Sequence, residues 1–551
     1  MIYRVFDECI ETASPETVLS VLKRAGAEQG ALAAMVDRLP VELNTLLTRN
    51  CTLTPVTLKQ EAGRRIYERT LRFVLLLALK ELYPGQRVRV EYSAGHGIVV
   101  RMPELPMNAE MLENLRAEMA AITQADLPLR CERWPLDRVK AYFAADGQQD
   151  KQKLLEYRSV QSMTMYGANW HGTEMWDYFY GAMAPSAGYV KVFGLEQQED
   201  GLILYMPLAN KPEVPAPSAD RPKLLKVFRQ SAEWCHILGV ENAADLFRMV
   251  EQKQLRRFIR VNEALHDQAL GAIAESIVQQ GKRVVLVAGP SSSGKTTFAG
   301  RLSIHLQVLG KRAYRVSMDD YYRNRQEIPR EPDGSIDLEA ITTLDLPLLS
   351  DQINALMQGA TVDIPRYSFK TGMREQQGVP LTLGPEDILI IEGIHGLNPE
   401  VSRDLPQKLV YRVFVSGLTC LNLDDHNRIR TTDVRLLRRI VRDYQFRGTS
   451  PEKTLAMWES VRRGEERWIF PYQEQADVMF NTALHYELPV LSRYAYPLLK
   501  ELSPDTEGYD IAVRLRKILN YMPVLDEAVL SEIPPLSLLR EFIGGCTIEE
   551  D

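Results

Sequence analysis

GPSSSGKT, residues 289–296, decides the fold of this 551-residue chain. Gly289, Gly294, Lys295 and Thr296 stand at the fixed positions of the phosphate-binding loop pattern. The apolar run VVLVA (284–288) leads into it, and a helical pattern, TTFAGRLSIHLQVLG (296–310), leaves it. That strand–loop–helix setting gives the pattern its meaning. Small residues, here Pro290, Ser291, Ser292 and Ser293, let successive backbone N–H groups curl around phosphate oxygens. The helix that follows, opening at Thr296 and Thr297, presents its positive end to the same anion. Lys295 supplies a point charge to the β- and γ-phosphates, and the Thr296 hydroxyl can hold Mg2+. A nucleoside triphosphate site follows, with ATP and Mg2+ as the expected ligands.

Working outward, strands and helices alternate: VVLVA, a helix, RAYRVSM (312–318), a helix, DILIIEG (387–393), a helix, LVYRVFVS (409–416), then helices. The alternation predicts an α/β fold with a doubly wound parallel sheet. In such a sheet ligands gather at the carboxyl ends of the strands. RAYRVSM ends there in Asp319-Asp320-Tyr321-Tyr322, and Asp319 is placed to take a proton from an acceptor hydroxyl. DILIIEG ends there in Glu392, where a carboxylate reaches the metal. Seven arginines, Arg428, Arg430, Arg435, Arg438, Arg439, Arg442 and Arg447, then face only two acids, Asp433 and Asp443. Leu437, Ile440, Val441 and Tyr444 recur among them at helical spacing, so one face packs inward. The arginines read as a lid that brings positive charge onto a transferring phosphate, with Arg438 and Arg442 as catalytic members. The alternative reading is a solvated basic face.

At this length several domains are expected. The net charge of −7 argues against broad non-specific binding of nucleic acid. Six cysteines without a CxxC pair read as reduced thiols rather than a disulfide frame or zinc site. The longest continuous apolar run, FVLLLAL (73–79), is too short to span a bilayer, and MIYRVFDECIE lacks a signal-peptide layout. A cytoplasmic enzyme is the default. Helical patterns are expected at 15–25, 31–38, 60–83, 108–122 and 136–145, and a strand pair at 86–102 around Gly95. NKPEVPAPSADRP (210–222) reads as a linker, and residues 223–280 as a helical bridge.

Taken together, GPSSSGKT, DDYY (319–322), PRYSF (365–369), Arg374, IIEG (390–393), DVRLLRRIVRD (433–443) and FPYQEQADVMF (470–480) resemble, in order and spacing, the uridine kinase/phosphoribulokinase family. The resemblance covers residues 282–481. It implies that Asp319 is the general base for a ribose 5′-hydroxyl and Asp337 the ribose-diol carboxylate. It also implies that Tyr367 and Phe369 form a nucleobase-side wall with Arg374 nearby, and that Arg435, Arg438, Arg439 and Arg442 form the lid. Two positions depart from uridine kinases: Gly372 stands where they place a base-reading histidine, and Ser368 where they have aspartate.

In the first half, residues 30–58 resemble the TGS domain of threonyl-tRNA synthetases. ERTLRFVLLLALKELYP (68–84) and YFYGAMAPSAGYVKVFGL (178–195) resemble those enzymes' second additional, editing domain. Editing needs His and Cys side chains, yet Arg69, Phe73, Phe179 and Met183 occupy the matching positions, which implies a retained fold without hydrolysis. His96 and His171 remain nearby as lone histidines, and Asp424-Asp425-His426 reads as a turn and cap network rather than a metal site.

The expected layout is a TGS-like domain at 1–59, an editing-like domain at 60–209, a linker and helical bridge at 210–281, a P-loop nucleoside kinase domain at 282–485 and a helical extension at 486–551. The expected activity is transfer of the ATP γ-phosphoryl group to a nucleoside 5′-hydroxyl. Kinase action on another small hydroxyl metabolite, or an RNA-sensing regulatory ATPase, are the alternatives. Self-association, and nucleic-acid contact through the first half, stay open at this point.

Overall fold

The computed structural model of the protein describes residues 1–218, 220–330, 336–368 and 371–548. A five-stranded sheet carries the phosphate loop. Strand β1 (Val284–Ala288) lies at its centre, followed along the chain by β2 (Ala313–Ser317), β3 (Ile388–Gly393), β4 (Val410–Ser416) and β5 (Val478–Asn481). The spatial order is β2-β3-β1-β4-β5, and every pairing is parallel. VVLVA is apolar throughout because both faces of β1 are covered. Val285 and Val287 pack with Leu270, Ile273, Phe298 and Leu302 on one side. Val284 and Leu286 pack with Leu349 and Ile353 on the other. Helices Leu255–Gln279 and α1 (Lys295–Val308) therefore line one face, and helix Leu346–Met357 the other. Because β3 and β4 flank β1, their carboxyl ends open beside the loop that leaves β1, the place where such sheets bind ligands.

The chain begins with a mixed five-stranded sheet of Glu8–Glu11, Ile2–Val5, Cys51–Val56, Ala33–Val36 and Leu39–Glu42, in that spatial order. Helix Val18–Arg24 packs on it through Val18, Val21 and Leu22. The helix expected at 31–38 is instead the strand Ala33–Val36, paired on both edges. Its short apolar run fits either period, and two flanking strands decide the matter. A long helix, Glu61–Leu82, stops before Pro84-Gly85 as expected and is buried along most of its length. Strands Arg89–Ala94 and Gly97–Arg101 turn at Gly95 (φ +65°) and join Gly201–Tyr205 and Gly194–Gln198 in an antiparallel sheet. A further sheet, Arg130–Pro135, Ser162–Trp170 and Thr173–Asp177, has no counterpart in the sequence reading.

The stretch read as a linker is ordered. Lys211–Pro215 pairs with Pro207–Leu208, and Ala216 is buried. Helix Pro222–Leu238 follows, its Phe228 stacked on Tyr92 at 3.9 Å between ring centres. A proline-rich composition here makes a sheet edge rather than a free tether. Helices Glu487–Lys500 and Tyr509–Leu519 follow the sheet, and residues 533–548 fold back so that Leu538 enters the core around β1. Among the described residues no helix is long and apolar enough to cross a membrane.

Candidate active site

The loop between β1 and α1 is held open from outside. Gly294, at φ +85°, and Ser292, at φ +56°, turn the backbone through left-handed conformations that only a tightly supported loop keeps. Gly289 has no room for a side chain, since a Cβ would lie 2.0 Å from the Val415 carbonyl oxygen. Three successive loop carbonyls are taken by the surrounding protein. Arg435 Nε donates to Ser291 O at 3.0 Å, Arg438 to Ser292 O at 3.5 Å, and the Thr482 hydroxyl to Ser293 O at 2.6 Å. With its carbonyl side engaged, the loop keeps its N–H side for an anion. Lys295 Nζ reaches back to Pro290 O at 3.3 Å.

Carboxylates gather at this mouth. Ser317, the last residue of β2, accepts the Asp319 N–H at 3.3 Å and donates its hydroxyl to Glu392 at 3.2 Å. The Thr296 hydroxyl donates to the same Glu392 oxygen at 3.3 Å. Burial raises the Asp319 carboxyl above its ordinary range, with Lys295, Arg447 and Arg442 pulling it back. Burial also raises Glu392, opposed by Lys295 and reinforced by the neighbouring charges of Asp319 and Glu541. A hydroxyl between two strand-end carboxylates, with one lysine facing both, is a donor set suited to a hard divalent cation and a phosphate.

Tyr322 and Glu339 lie within electrostatic reach of Asp319. The Trp468 indole N–H donates to Asp337 Oδ2 at 3.0 Å, while Asp337 Oδ1 accepts the Glu339 N–H at 3.0 Å. Tyr367 sits in a short hairpin, its N–H on Asp320 at 3.1 Å and its ring 5.6 Å from that of Tyr322. Phe369 lies outside the described residues. Arg374 is used internally: it donates to the carbonyls of Tyr322 and Tyr321 at 2.9 and 3.0 Å and to Asp345 at 3.2 Å. It thus ties the hairpin to the turn that carries Asp319.

Helix α2 (Thr431–Phe446) is neither a solvated basic face nor a loose lid. It is buried from Asp433 to Asp443. Arg435 pairs with Glu465, and Arg438 pairs with Glu487 at 2.5 Å and also donates to Thr482 O at 2.9 Å. Arg439 bonds the Ser291 hydroxyl at 2.9 Å and Asp443 at 3.2 Å, and Arg442 bonds Asp443 at 3.0 Å. A guanidinium inside a protein needs such partners. Arg435 and Arg438 therefore brace the loop from behind, and Arg442 and Arg447 are the members whose charge reaches Asp319.

Glu339, Thr482 and Glu541 join the site without having been singled out, and Arg447 joins it as the last of the seven arginines, beyond the four implied for the lid. Glu339 follows Asp337 by two positions, and Arg447 ends the arginine run, so both had a local signal. Thr482 and Glu541 come from distant segments and had none.

In the first half, Phe73, Phe179 and Met183 are buried in one core, with the Phe73 and Phe179 rings edge to face at 6.3 Å. Arg69 is spent on the Ala182 carbonyl at 2.7 Å. Asp424, Asp425 and His426 form a buried network with this half. His426 Nδ1 lies 2.6 Å from Asp177, Asp425 accepts from Arg87 at 2.7 Å, and the fully buried Lys151 bonds Asp177 at 2.6 Å. His96 is exposed, and His171 stacks on Trp170 at 4.4 Å.

The model of the phosphoribulokinase/uridine kinase family matches residues 284–487. A uridine kinase of Deinococcus deserti is 31% identical over 36% of this chain and 86% of its own length. One of Lactobacillus johnsonii is 32% identical over 36% and 87%. A third, of Halobacterium salinarum, is 29% identical over 35% and 77%. All three matches cover about a third of this chain and between 77% and 87% of the relative. By this match and these identities, the chain belongs to the phosphoribulokinase/uridine kinase family of P-loop kinases.

Proposed function

We propose that the protein transfers the γ-phosphoryl group of ATP to the 5′-hydroxyl of a nucleoside. The observation that carries this reading is the convergence of Asp319 and Glu392 on Lys295 at the mouth of the loop, with the Thr296 hydroxyl 3.3 Å from Glu392. Phosphoryl transfer asks a protein mainly for positioning, charge neutralisation and one group to receive a proton. The loop N–H groups from residues 291–297 and Lys295 would hold the donor phosphates. Thr296 and Glu392 would hold Mg2+, which when bound neutralises phosphate charge. Asp319 takes the acceptor hydroxyl proton, its affinity for a proton raised by burial. Asp337, held by Trp468, accepts from the hydroxyls of a ribose, and Tyr367 with Tyr322 offers ring faces beside it. Arg442 and Arg447 lower the cost of negative charge near Asp319.

The test is steady-state turnover on a nucleoside panel for wild type and Lys295→Ala. Formation of a nucleoside 5′-monophosphate that Lys295→Ala abolishes supports the reading; equal turnover in both rejects it.

One observation favours a second acceptor class. The side chain of Arg325, exposed, lies along Gly372, its Cβ 3.3 Å from where a Cβ on that glycine would be. A guanidinium in that place suits a small hydroxyl compound that carries an anionic group, such as a sugar phosphate. The same panel, extended to sugar phosphates, separates the two by the product's mass.

A further inference from the structure

Residues 533–548 press against the start of α1. Leu538 is fully buried, its Cδ2 3.5 Å from where a Cβ on Gly294 would lie. Phe542 is fully buried with the Arg438 guanidinium 5.0 Å from its ring centre. Ile548 fills the space over Gly300, where a Cβ would meet its Cγ2 at 2.3 Å. Between these anchors Glu541 turns its carboxylate into the phosphate loop. One oxygen accepts from the Thr297 hydroxyl at 2.9 Å and from the Thr297 N–H at 3.4 Å, and the other lies 3.9 Å from Arg442.

The N–H groups at the start of an α-helix have no partner within the helix. In α1 the first N–H to close the ladder is that of Phe298, on Gly294 O at 2.9 Å. Those of Lys295, Thr296 and Thr297 precede it, at the end where an anion is favoured. Glu541 occupies the last of the three, and it is an anion itself. A carboxylate and a phosphate cannot take the same N–H, and at this range like charges repel through little water.

We propose that residues 533–548 form a latch on the nucleotide site, with Glu541 standing in for a phosphate group at Thr297. The donor's polyphosphate must displace that carboxylate to seat fully, so the latch sets donor affinity. Leu538 and Phe542 keep the segment at hand while the single turn Arg540–Ile543, which ends at Gly544 (φ +91°), carries Glu541 on or off the loop. Arg442 is the second contact of Glu541 and also faces Asp319, so release of the latch returns a positive charge to the site as the donor arrives. The proposal rests on the reading of this loop as the donor site.

The test is calorimetric titration of the full chain with ATP and with inorganic tripolyphosphate, which has neither base nor ribose. Wild type is compared with Glu541→Gln, Glu541→Ala and Lys295→Ala. The Gln variant keeps the shape and removes the charge, which guards against a folding defect in the Ala variant. Both Glu541 variants are expected to bind both probes about tenfold more tightly, the scale of one charge-assisted hydrogen bond. Unchanged or weaker binding in the Glu541 variants, with wild-type binding still lost in Lys295→Ala, overturns the latch and leaves the donor site standing. Absence of any Lys295-dependent binding in wild type and in the Glu541 variants overturns both.

Discussion

Arg65, on the long helix of the first half, donates a pair of hydrogen bonds to Asp433 in the first turn of α2, at 3.0 and 2.8 Å. Both side chains are buried, and Arg514 is a further partner of Asp433 at 3.1 Å. One turn along the long helix, Glu68 takes Arg428 at 3.2 Å and also pairs with Arg430. The helix that braces the phosphate loop through Arg435, Arg438 and Arg439 is therefore gripped at its start by the first half of the chain. Removing Arg65 leaves a buried carboxylate with fewer partners, which costs about 3 kcal/mol. Arg65→Ala should lower the midpoint of thermal unfolding and weaken ATP binding together. Calorimetry and titration check this; a variant that melts and binds like wild type would show that the pair does not support the loop.

Asp319→Asn keeps the turn, since the contact Ser317 makes is to the backbone N–H of residue 319. It removes the proton acceptor. Nucleotide affinity should hold while kcat falls by about 10²-fold or more. Single-turnover phosphoryl transfer measures this, and an undiminished kcat would take Asp319 out of the role.

Asp337 and Trp468 are argued to act on the acceptor alone. Trp468→Phe removes the indole N–H that orients Asp337 at 3.0 Å and keeps most of the ring surface. KM for the acceptor should rise by about tenfold, the scale of one hydrogen bond to a charged group, while KM for ATP stays put. A rise in the KM for ATP of the same size would place this pair on the donor side.

Glu339 makes a pH-dependent contribution whose sign is fixed. Its carboxyl is pushed from an ordinary 4.5 up to about 7, by burial first and then by Glu465, with Arg439 and Lys295 opposing. A carboxyl that holds its proton more firmly in the folded state stabilises the fold least once it must ionise. Stability therefore falls as pH rises from 4.5 to about 7 and levels off above. Glu339→Gln removes that slope. Measured without ligand, the melting temperature of the variant should gain on wild type between about pH 5 and about pH 8. A constant difference across that range would mean that Glu339 ionises freely.

Much of this site could be read from single segments. VVLVA followed by GPSSSGKT carries its own context, and Asp319 and Glu392 announce themselves by standing just past one strand and near the end of another. The arginine helix was harder. Its charge count points to solvent or to a lid, because the acids that neutralise it, Glu465 and Glu487, lie 30 and 49 positions further along the chain from Arg435 and Arg438. Glu541 reaches Thr297 across 244 positions, a distance at which no local pattern gives a signal. The strand at Ala33–Val36 and the sheet edge at Lys211–Pro215 depend on neighbouring strands, so periodicity misassigned the first and composition the second.

The central claim is phosphoryl transfer to a nucleoside 5′-hydroxyl at the loop of residues 289–296. Its most direct measurement is ADP release from ATP and Mg2+ over a panel of nucleosides and small hydroxyl metabolites, with the product identified by mass. The account predicts that a nucleoside yields its 5′-monophosphate in step with ADP. ATP turnover with no phosphorylated acceptor, or phosphorylation only of acceptors that lack a nucleoside, would contradict it.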